Sequence, residues 1–366
     1  MKIILCVTND IVTDQRINRI AGTLVSLPSE IELAGILRRD SLPVSGKTYK
    51  TRRFNLLFKK GPLFYMEYNT RLFFHLLFTN AGAFVSNDLD TLPAAFIASK
   101  LKRKVLIYDS HELFTELPEL IGRPFTKKIW ERLERLFLHR VKHSYTVNQS
   151  IALHYSAKYG INMEVIRNLP YRFNEHSQSL QGRVFNKQII YQGALNMGRG
   201  LEMLISAMQW LDDAGVIIAG SGYAENELHR LTASLHLEDR VKFTGRIKPE
   251  DLSVYTRASD LGVSLEENLG LNYYYALPNK LFDYIQCGIP VLVSDLPEMA
   301  AVVKKYGVGQ IVSTRDPEEL AVIIKKMLVD DEVRITWKEN LKKASRDLCW
   351  ENEAPKLLHL YRKALF

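Results

Sequence analysis

The sequence predicts an α/β protein built from two doubly wound domains of parallel sheet, and three observations carry that reading. Short apolar runs rich in β-formers alternate with amphipathic helical segments along most of the chain, which is the pattern of strand-helix-strand units. Its 366 residues are more than twice the commonest domain size, enough for two separate cores. A polar stretch without clear periodicity, Asn168 to Asn186 (NLPYRFNEHSQSLQGRVFN), divides the apolar runs into two sets and reads as a linker.

In the first half, KIILCVT, IELAGIL, GAFVSN, KVLIYDS and SYTVN are the expected strands; in the second, KQIIYQG, GVIIAGSG, VKFTGR, LGVSL, PVLVSD and GQIVST. Open parallel sheets collect ligands beyond the carboxyl ends of their strands. The segments found there are chemically loaded: Asn9, Asp10 and Asp14; Asn87 to Asp90; Asp109, Ser110, His111 and Glu112; then Gly193 to Gly200, Gly220 to Gly222, and Gly245 with Arg246. Two sets of strand ends facing each other across a cleft would bring these groups together.

Hydrophobic content of 46% and charged content of 25% are those of a soluble globular protein and exclude fibres and disorder. No apolar run is long enough for a membrane span or a signal h-region, and three scattered cysteines suggest neither a disulfide framework nor a zinc site, so a cytoplasmic setting is expected. The net charge of +8 favours an acidic partner. Between Thr51 and Phe78 the bases Arg52, Arg53, Lys59, Lys60 and Arg71 stand among Phe and Leu, with Glu67 the only acid. No nucleic-acid motif accompanies them. Two readings follow: the segment lies on an anionic bilayer, or Phe64, Leu72, Phe73 and Leu76 face the core while the bases face water.

Three motifs fail on inspection. Gly193 to Gly200 follows the nucleotide-triphosphate loop pattern until its end, where Arg199 and Gly200 replace the lysine and hydroxyl that hold phosphate and magnesium. Gly220-Ser-Gly222 begins a dinucleotide fingerprint whose third glycine is Glu225, so a tight strand-to-helix turn explains it as well. Asp88-Leu-Asp90 resembles a metal-binding pair, but the helix that follows makes N-capping by Asp90 or Thr91 the simpler expectation. More is carried by LGLNYYYALPNKLFDYIQCGIPVLVSD, Leu269 to Asp295. A helix opened by Pro278 and closed at Gly288 would present Lys280 and Asp283 on one face. Its start suits a diphosphate, and a carboxylate one turn deeper suits the hydroxyls of a ribose.

Taken in order, YQGALNMGRGLEMLISAM, IIAGSGYAENEL, VKFTGRIKPEDL and ALPNKLFDYIQCGIPVLVSDLPEM resemble the second half of retaining nucleotide-sugar glycosyltransferases of the GT-B fold, the large group 1 family that includes bacterial mannosyltransferases and sucrose-type synthases. TNDIVTDQRINRIAGTL, SNDLDTLPAAFIASKLKRKVLIYDSHELFTELPEL, VIRNLP and WENEAPKLLHLYRKAL are similar to its other elements.

The resemblance implies two Rossmann-like domains facing across a cleft. An acceptor domain would span 1–168, a linker 169–186, and a donor domain 187–350, with 351–366 returning as a helix to the first domain. It implies transfer of a sugar from a nucleoside diphosphate to a saccharide or lipid-linked acceptor, with retention, in bacterial cell-surface polysaccharide or glycolipid assembly. The work would be cytoplasmic, at the inner membrane face, without metal, cofactor or nucleic acid. Arg199 falls where the family has a diphosphate-binding lysine, Ala194 where it has the matching arginine, and Lys280 is the candidate to supply the missing cation. Asp283 matches the ribose-holding glutamate, whereas Tyr275 occupies the position of the sugar-contacting one, leaving the sugar to the loop Gly270 to Ala276. His111 matches a histidine beside the donor sugar and is expected, with Arg199 and Lys280, to be catalytic. Gly193, Gly220, Gly222, Gly245, Arg246 and Asn279 complete the expected donor site, and Asp10, Asp88 and Glu112 the acceptor side. A UDP-sugar 2-epimerase of the same fold and a catalytically silent sugar-nucleotide-binding subunit are the alternatives.

Overall fold

The computed structural model describes residues 1–39, 41–120, 122–173 and 182–366. The chain divides into two compact units, 1–168 together with 353–366, and 169–352.

The first unit runs β1 (Lys2–Asp10), α1 (Gln15–Leu24), β2 (Glu30–Leu37), β3 (Lys50–Asn55), α2 (Gly61–Phe78), β4 (Ala83–Asn87), α3 (Leu92–Lys102), β5 (Val105–Ser110), α4 (Pro124–Phe137), β6 (His143–Thr146), α5 (Gln149–Tyr159) and β7 (Glu164–Val165). Its strands form one parallel sheet in the order β3-β2-β1-β4-β5-β6-β7. The central strands are apolar on both faces, as burial between two helix layers requires. All five expected strands are present. Two more, β3 and β7, were not anticipated: Lys-Thr-Arg-Arg-Phe-Asn is an edge strand whose charged residues reach water, and β7 has only two residues.

Within the basic, aromatic segment, α2 packs Tyr68, Leu72 and Leu76 into the core, with Phe64 and Phe73 partly buried against it. The core reading therefore holds for those side chains. Tyr68 pins the helix by donating its hydroxyl to the Val7 carbonyl at 2.5 Å. Neither expected cap of α3 is made. The Asp90 carboxylate accepts instead from the Thr8 hydroxyl, and the Thr91 hydroxyl meets Ser86 Oγ at 2.7 Å and the Asn87 carbonyl at 3.1 Å. Pairing of β1 with β4 brings Thr8 within reach, and that contact wins over a local cap.

The second unit runs β8 (Lys187–Gln192), α6 (Leu201–Ala207), β9 (Ala214–Ala219), α7 (Glu225–Ser234), β10 (Val241–Gly245), α8 (Pro249–Arg257), β11 (Leu261–Ser264), α9 (Leu271–Tyr274), α10 (Asn279–Gln286), β12 (Val291–Ser294), α11 (Pro297–Tyr306), β13 (Gly309–Val312), α12 (Pro317–Val329) and α13 (Asp331–Asp347). All six expected strands pair in parallel, in the order β10-β9-β8-β11-β12-β13. The segment read as a linker is built into this unit at its described ends. Leu169 is fully buried in the core, and the Pro170 carbonyl accepts the Trp350 N–H at 2.7 Å; residues 174–181 lie outside the described residues.

A final helix, α14 (Trp350–Leu365), belongs to the first unit from Glu353 onward, where Leu357, Leu360 and Tyr361 are buried and the Tyr361 and Tyr145 hydroxyls meet at 3.3 Å.

The position of α10 is set by Tyr284. Its buried hydroxyl sits between the carbonyls of Ile190 (3.3 Å) and Val263 (3.2 Å) and accepts the Gln192 N–H (3.1 Å). The ring covers Gly262, where a Cβ would come within 2.4 Å of it, so only glycine lets the helix approach β11 this closely. Burying such a ring contributes roughly 1.5–3 kcal/mol. Gly262→Ala would push α10 off the sheet and displace Lys280 and Asp283 with it.

Candidate functional site

In the second sheet the connections reverse direction between β8 and β11, the place where the loops after two neighbouring strands part and leave a crevice. After β8 the chain turns through Gly193, Gly198 and Gly200, all with positive φ. Backbone bonds tie this loop to the next strand ends: Gly193 N–H to the Ala219 carbonyl and Gly220 N–H to the Gly245 carbonyl, both at 2.9 Å. A Cβ on Gly220 would lie 1.8 Å from the Gly193 carbonyl oxygen, and one on Gly222 would lie 2.2 Å from that of Leu195. These two glycines are thus demanded by loop-on-loop packing. Arg246 is exposed after β10, the edge strand, two strands away from β8.

At the crevice Arg199 and Lys280 come together on one carboxylate. Glu266, fully buried just after β11, has Lys280 Nζ at 2.8 Å and the Arg199 guanidinium at 3.6 Å from the same oxygen, both as ion pairs; the Ser264 hydroxyl donates to its other oxygen at 2.7 Å. Burial alone would raise the Glu266 pKa, but Lys280 and then Arg199 outweigh it and hold the carboxyl below its usual range. Two aromatic rings complete the setting. Lys280 Nζ stands 3.9 Å from the Tyr191 ring centroid, and the Arg199 guanidinium 5.0 Å from that of Tyr273. Lys280 is nearly buried whereas Arg199 keeps about a quarter of its surface exposed, at 26%. Arg315 braces the carboxylate's backbone, donating to the carbonyls of Leu265 (3.1 Å) and Glu266 (2.8 Å).

Asn279 is exposed at the first position of α10, and Pro278 precedes it as the cap residue. One turn deeper, Asp283 accepts from the Gln192 side-chain amide at 2.9 Å, and the Gln192 carbonyl oxygen accepts the Thr256 hydroxyl at 2.8 Å. Tyr275, at the family's sugar-contacting position, follows α9 and packs against Tyr274. Glu266, Tyr191 and Arg315 were absent from the sequence-derived site, and Tyr273 entered it only as part of the loop Gly270 to Ala276. For Glu266 a signal existed: it follows the strand LGVSL directly, and strand ends were the places to search.

The first sheet reverses between β1 and β4, and its loops hold the other predicted group. His111 has a carboxylate at each ring nitrogen, Asp88 Oδ2 3.1 Å from Nδ1 and Asp109 Oδ2 3.1 Å from Nε2. Asp109 is fully buried and its second oxygen accepts Arg16 at 2.7 Å. Burial opposes protonation of the ring, but Asp88 and Asp109 prevail and raise its pKa well above the ordinary histidine value. With a carboxylate at each ring nitrogen, His111 favours its protonated form, which suits a fixed cation better than a base.

Asp88 has φ 62°, a left-handed conformation held by its N–H bond to the Asp109 carbonyl (2.8 Å) and by the His111 N–H bond to its own Oδ1 (2.8 Å). Asp90 is pushed up to about 7 by burial and by the charge of Asp88. Asp10 is nearly buried and spends Oδ1 on the Val12 N–H at 3.0 Å, a turn role; the carbonyl of Glu112 accepts the Ser110 hydroxyl at 2.9 Å.

Residues 173–344 match the family model of glycosyl transferases group 1. The chain carries a group 1 glycosyltransferase domain. It is 29% identical over 206 residues to a D-inositol 3-phosphate glycosyltransferase of Corynebacterium jeikeium, an alignment covering 52% of this chain and 47% of that protein. The chain spans about half the length of the relatives it matches. Across 99% of the chain the backbone follows the sucrose-phosphate synthase of Thermosynechococcus elongatus (98% of that chain, TM-score 0.78, 17% identity). It also follows the Anabaena protein HepE in complex with UDP and glucose (99% of this chain, 100% of that chain, TM-score 0.77, 17% identity). With its two parallel sheets, the chain has the GT-B fold. Among the described residues no helix is long and apolar enough to cross a membrane.

Proposed function

We propose that this glycosyltransferase moves a hexosyl group from a nucleoside-diphosphate sugar to a saccharide or lipid-linked acceptor, with retention at the anomeric carbon, in bacterial cell-surface polysaccharide or glycolipid assembly. The observation that carries the reading is the convergence of Arg199 and Lys280 on one buried carboxylate at the switch point of the second sheet. Two cations against one anion leave a positive surplus for a leaving diphosphate. Donors aimed in advance at developing charge are the largest single source of such catalysis, and they can replace a metal.

Asp283 takes the ribose, and the loops around Arg199 and Tyr275 take the sugar. Glu267, tied to the loop after β8 by its N–H bond to the Gly198 carbonyl at 2.9 Å, is our candidate to stand in for the carboxylate that Tyr275 displaces. The imidazolium of His111 serves the donor sugar electrostatically. A complex of the similarly folded HepE with UDP and glucose makes a UDP-sugar the first donor to try, and the protein works at the inner face of an anionic membrane.

Purified protein is screened by thermal shift against UDP, GDP and ADP sugars, where a ligand at a hundred times its Kd stabilises by about 2.7 kcal/mol. Slow hydrolysis of the stabilising donor, undiminished by EDTA and with the released sugar in its starting configuration at first appearance, is the expected result. Inversion at C2 would assign the epimerase instead. Donor binding without turnover would assign the silent subunit, and no stabilisation by any donor would remove the proposal.

A further inference from the structure

At the opposite end of the first sheet's strands, where β5 and β6 begin, the chain builds a second cationic place. A surface pocket of about 320 Å³ lies where α3 ends and β5 and β6 begin; Lys100, Arg103, Lys104, Arg140, Lys142 and His143 line it, over the ring of Phe96. From Lys100 the sequence reads Lys-Leu-Lys-Arg-Lys, and no carboxylate occurs between Leu92 and Lys104.

Cations at helix C-termini commonly neutralise the last carbonyls. Lys102 does so, donating to the Leu76 carbonyl at the end of α2 at 3.1 Å. The five Lys and Arg of the pocket do not: among the described residues none makes an ion pair, and Lys100 rests on Phe96 with its amine 5.3 Å from the ring centroid. Burial, then the charges of Lys142 and Lys363, depress the His143 pKa and outweigh the opposing charge of Glu164.

The pocket borders exposed apolar side chains. Ile97 and Leu101, one turn apart on α3, are 44% and 64% exposed. Beside them Lys102 ties α3 to the end of α2, where Phe78 is 81% exposed and stacks on Phe74 at 6.2 Å between centroids. Overall, α2 is apolar on its outer as well as its buried face. Exposed apolar side chains beside unpaired cations suit an interface that is anionic at its surface and hydrocarbon beneath. Self-association through this face would set one cationic patch against its own copy, which like charge opposes. A nucleic acid offers no partner for Leu101 and Ile97.

We infer that this pocket receives the phosphate of an anionic lipid head group while Leu101 and Phe78 enter the acyl region. The inference deepens and rests on the membrane-face reading above, but its assay needs no glycosyl transfer, so the two can fail separately.

The test is flotation of the full chain with phosphatidylcholine vesicles with and without phosphatidylglycerol, using K104E/K142E and L101S/F78S. These side chains are exposed, so the fold is expected to tolerate the changes. The chain should bind only vesicles containing phosphatidylglycerol. K104E/K142E should weaken binding about a hundred-fold or more, since each unit of charge near an anionic surface contributes about a fivefold step and each reversal changes the charge by two; L101S/F78S should weaken it about tenfold. Both variants should keep wild-type nucleotide binding.

Equal flotation of wild type and either variant would overturn the inference. So would saturable binding of inorganic phosphate without vesicle binding, which would assign a soluble phosphorylated ligand. Oligonucleotide binding lost in K104E/K142E but intact in L101S/F78S, or a dimer in sedimentation that L101S/F78S dissociates, would reassign the face to nucleic acid or to a second copy.

Discussion

The two switch points are built alike but carry their charge differently. In the second unit two cations surround one buried carboxylate; in the first, the carboxylates Asp88 and Asp109 surround one imidazolium, with Arg16 behind and Asp90 beside them. Topology supplies the crevice in both, and the side chains after the strands decide what it can hold. A surplus of positive charge suits a diphosphate that becomes more negative as it leaves. The balanced set around His111 holds a cation in one place and leaves its ring no lone pair, which suits positioning better than proton transfer. A single side chain in each cluster, Lys280 in one and Asp90 in the other, tests this contrast.

Lys280 carries the largest expected effect. Removing it strands Glu266, with Arg199 at 3.6 Å as its remaining cationic partner, and breaking one side of a buried pair costs about 3–5 kcal/mol. Lys280→Met should therefore be strongly destabilised in urea, and Lys280→Met/Glu266→Gln should recover most of the loss. Turnover should stay about 10²- to 10³-fold down in the double variant, and in Arg199→Ala, because the missing donor acts on the leaving group. Wild-type turnover in the stable double variant would mean that the trio is a structural ion pair and nothing more.

Asp90 should produce a smaller effect confined to one pH window. Its folded pKa of about 7 lies above the ordinary 3.8, so between those values the folded state binds more protons and stability falls as pH rises. His111, raised well above 6.5, contributes stability that is full below 6.5 and is lost only as pH climbs through its folded pKa. The window from pH 4.5 to 6.5 thus belongs to Asp90 within this cluster. The stability of Asp90→Asn relative to wild type should rise by about 2.5 kcal/mol between pH 4.5 and pH 6.5. Urea titrations at the two values check this, and a constant difference between them would show that Asp90 is ionised throughout.

Much of this contrast was legible before any coordinates. The alternation of apolar runs found all six strands of the second sheet, and the rule that ligands gather at strand ends selected Arg199, Asp88 and His111. It missed β3, because Lys-Thr-Arg-Arg-Phe-Asn is polar on its exposed side and periodicity sees apolar faces. The pairing of Glu266 with residues 67 positions earlier and 14 later, or of His111 with Asp88, exists only once distant strands lie side by side. In the segment from Thr51 to Phe78 the pattern allowed both a core face and an outer apolar face. The helix has both, because apolar residues run round its whole circumference.

The smallest effect is expected at Asp283, and it separates two parts of the proposed donor site. The cations act on the diphosphate, whereas Asp283 lies one turn into α10 and is oriented by Gln192, whose own amide is held by Thr256 and whose backbone N–H donates to Tyr284. A carboxylate fixed this way accepts hydroxyl hydrogens with charge assistance, a bond worth about 1.5–3 kcal/mol where a neutral one gives about 1. Asp283→Asn keeps the shape and loses the charge. By calorimetry it should bind a nucleoside diphosphate about tenfold more weakly, the size of one lost charge-assisted bond. Inorganic pyrophosphate, which has no ribose, should bind as it does to wild type, while Arg199→Ala should weaken both ligands. If Asp283→Asn weakens pyrophosphate as much as nucleotide, Asp283 acts through the placement of α10 and Lys280, and the ribose must be held elsewhere.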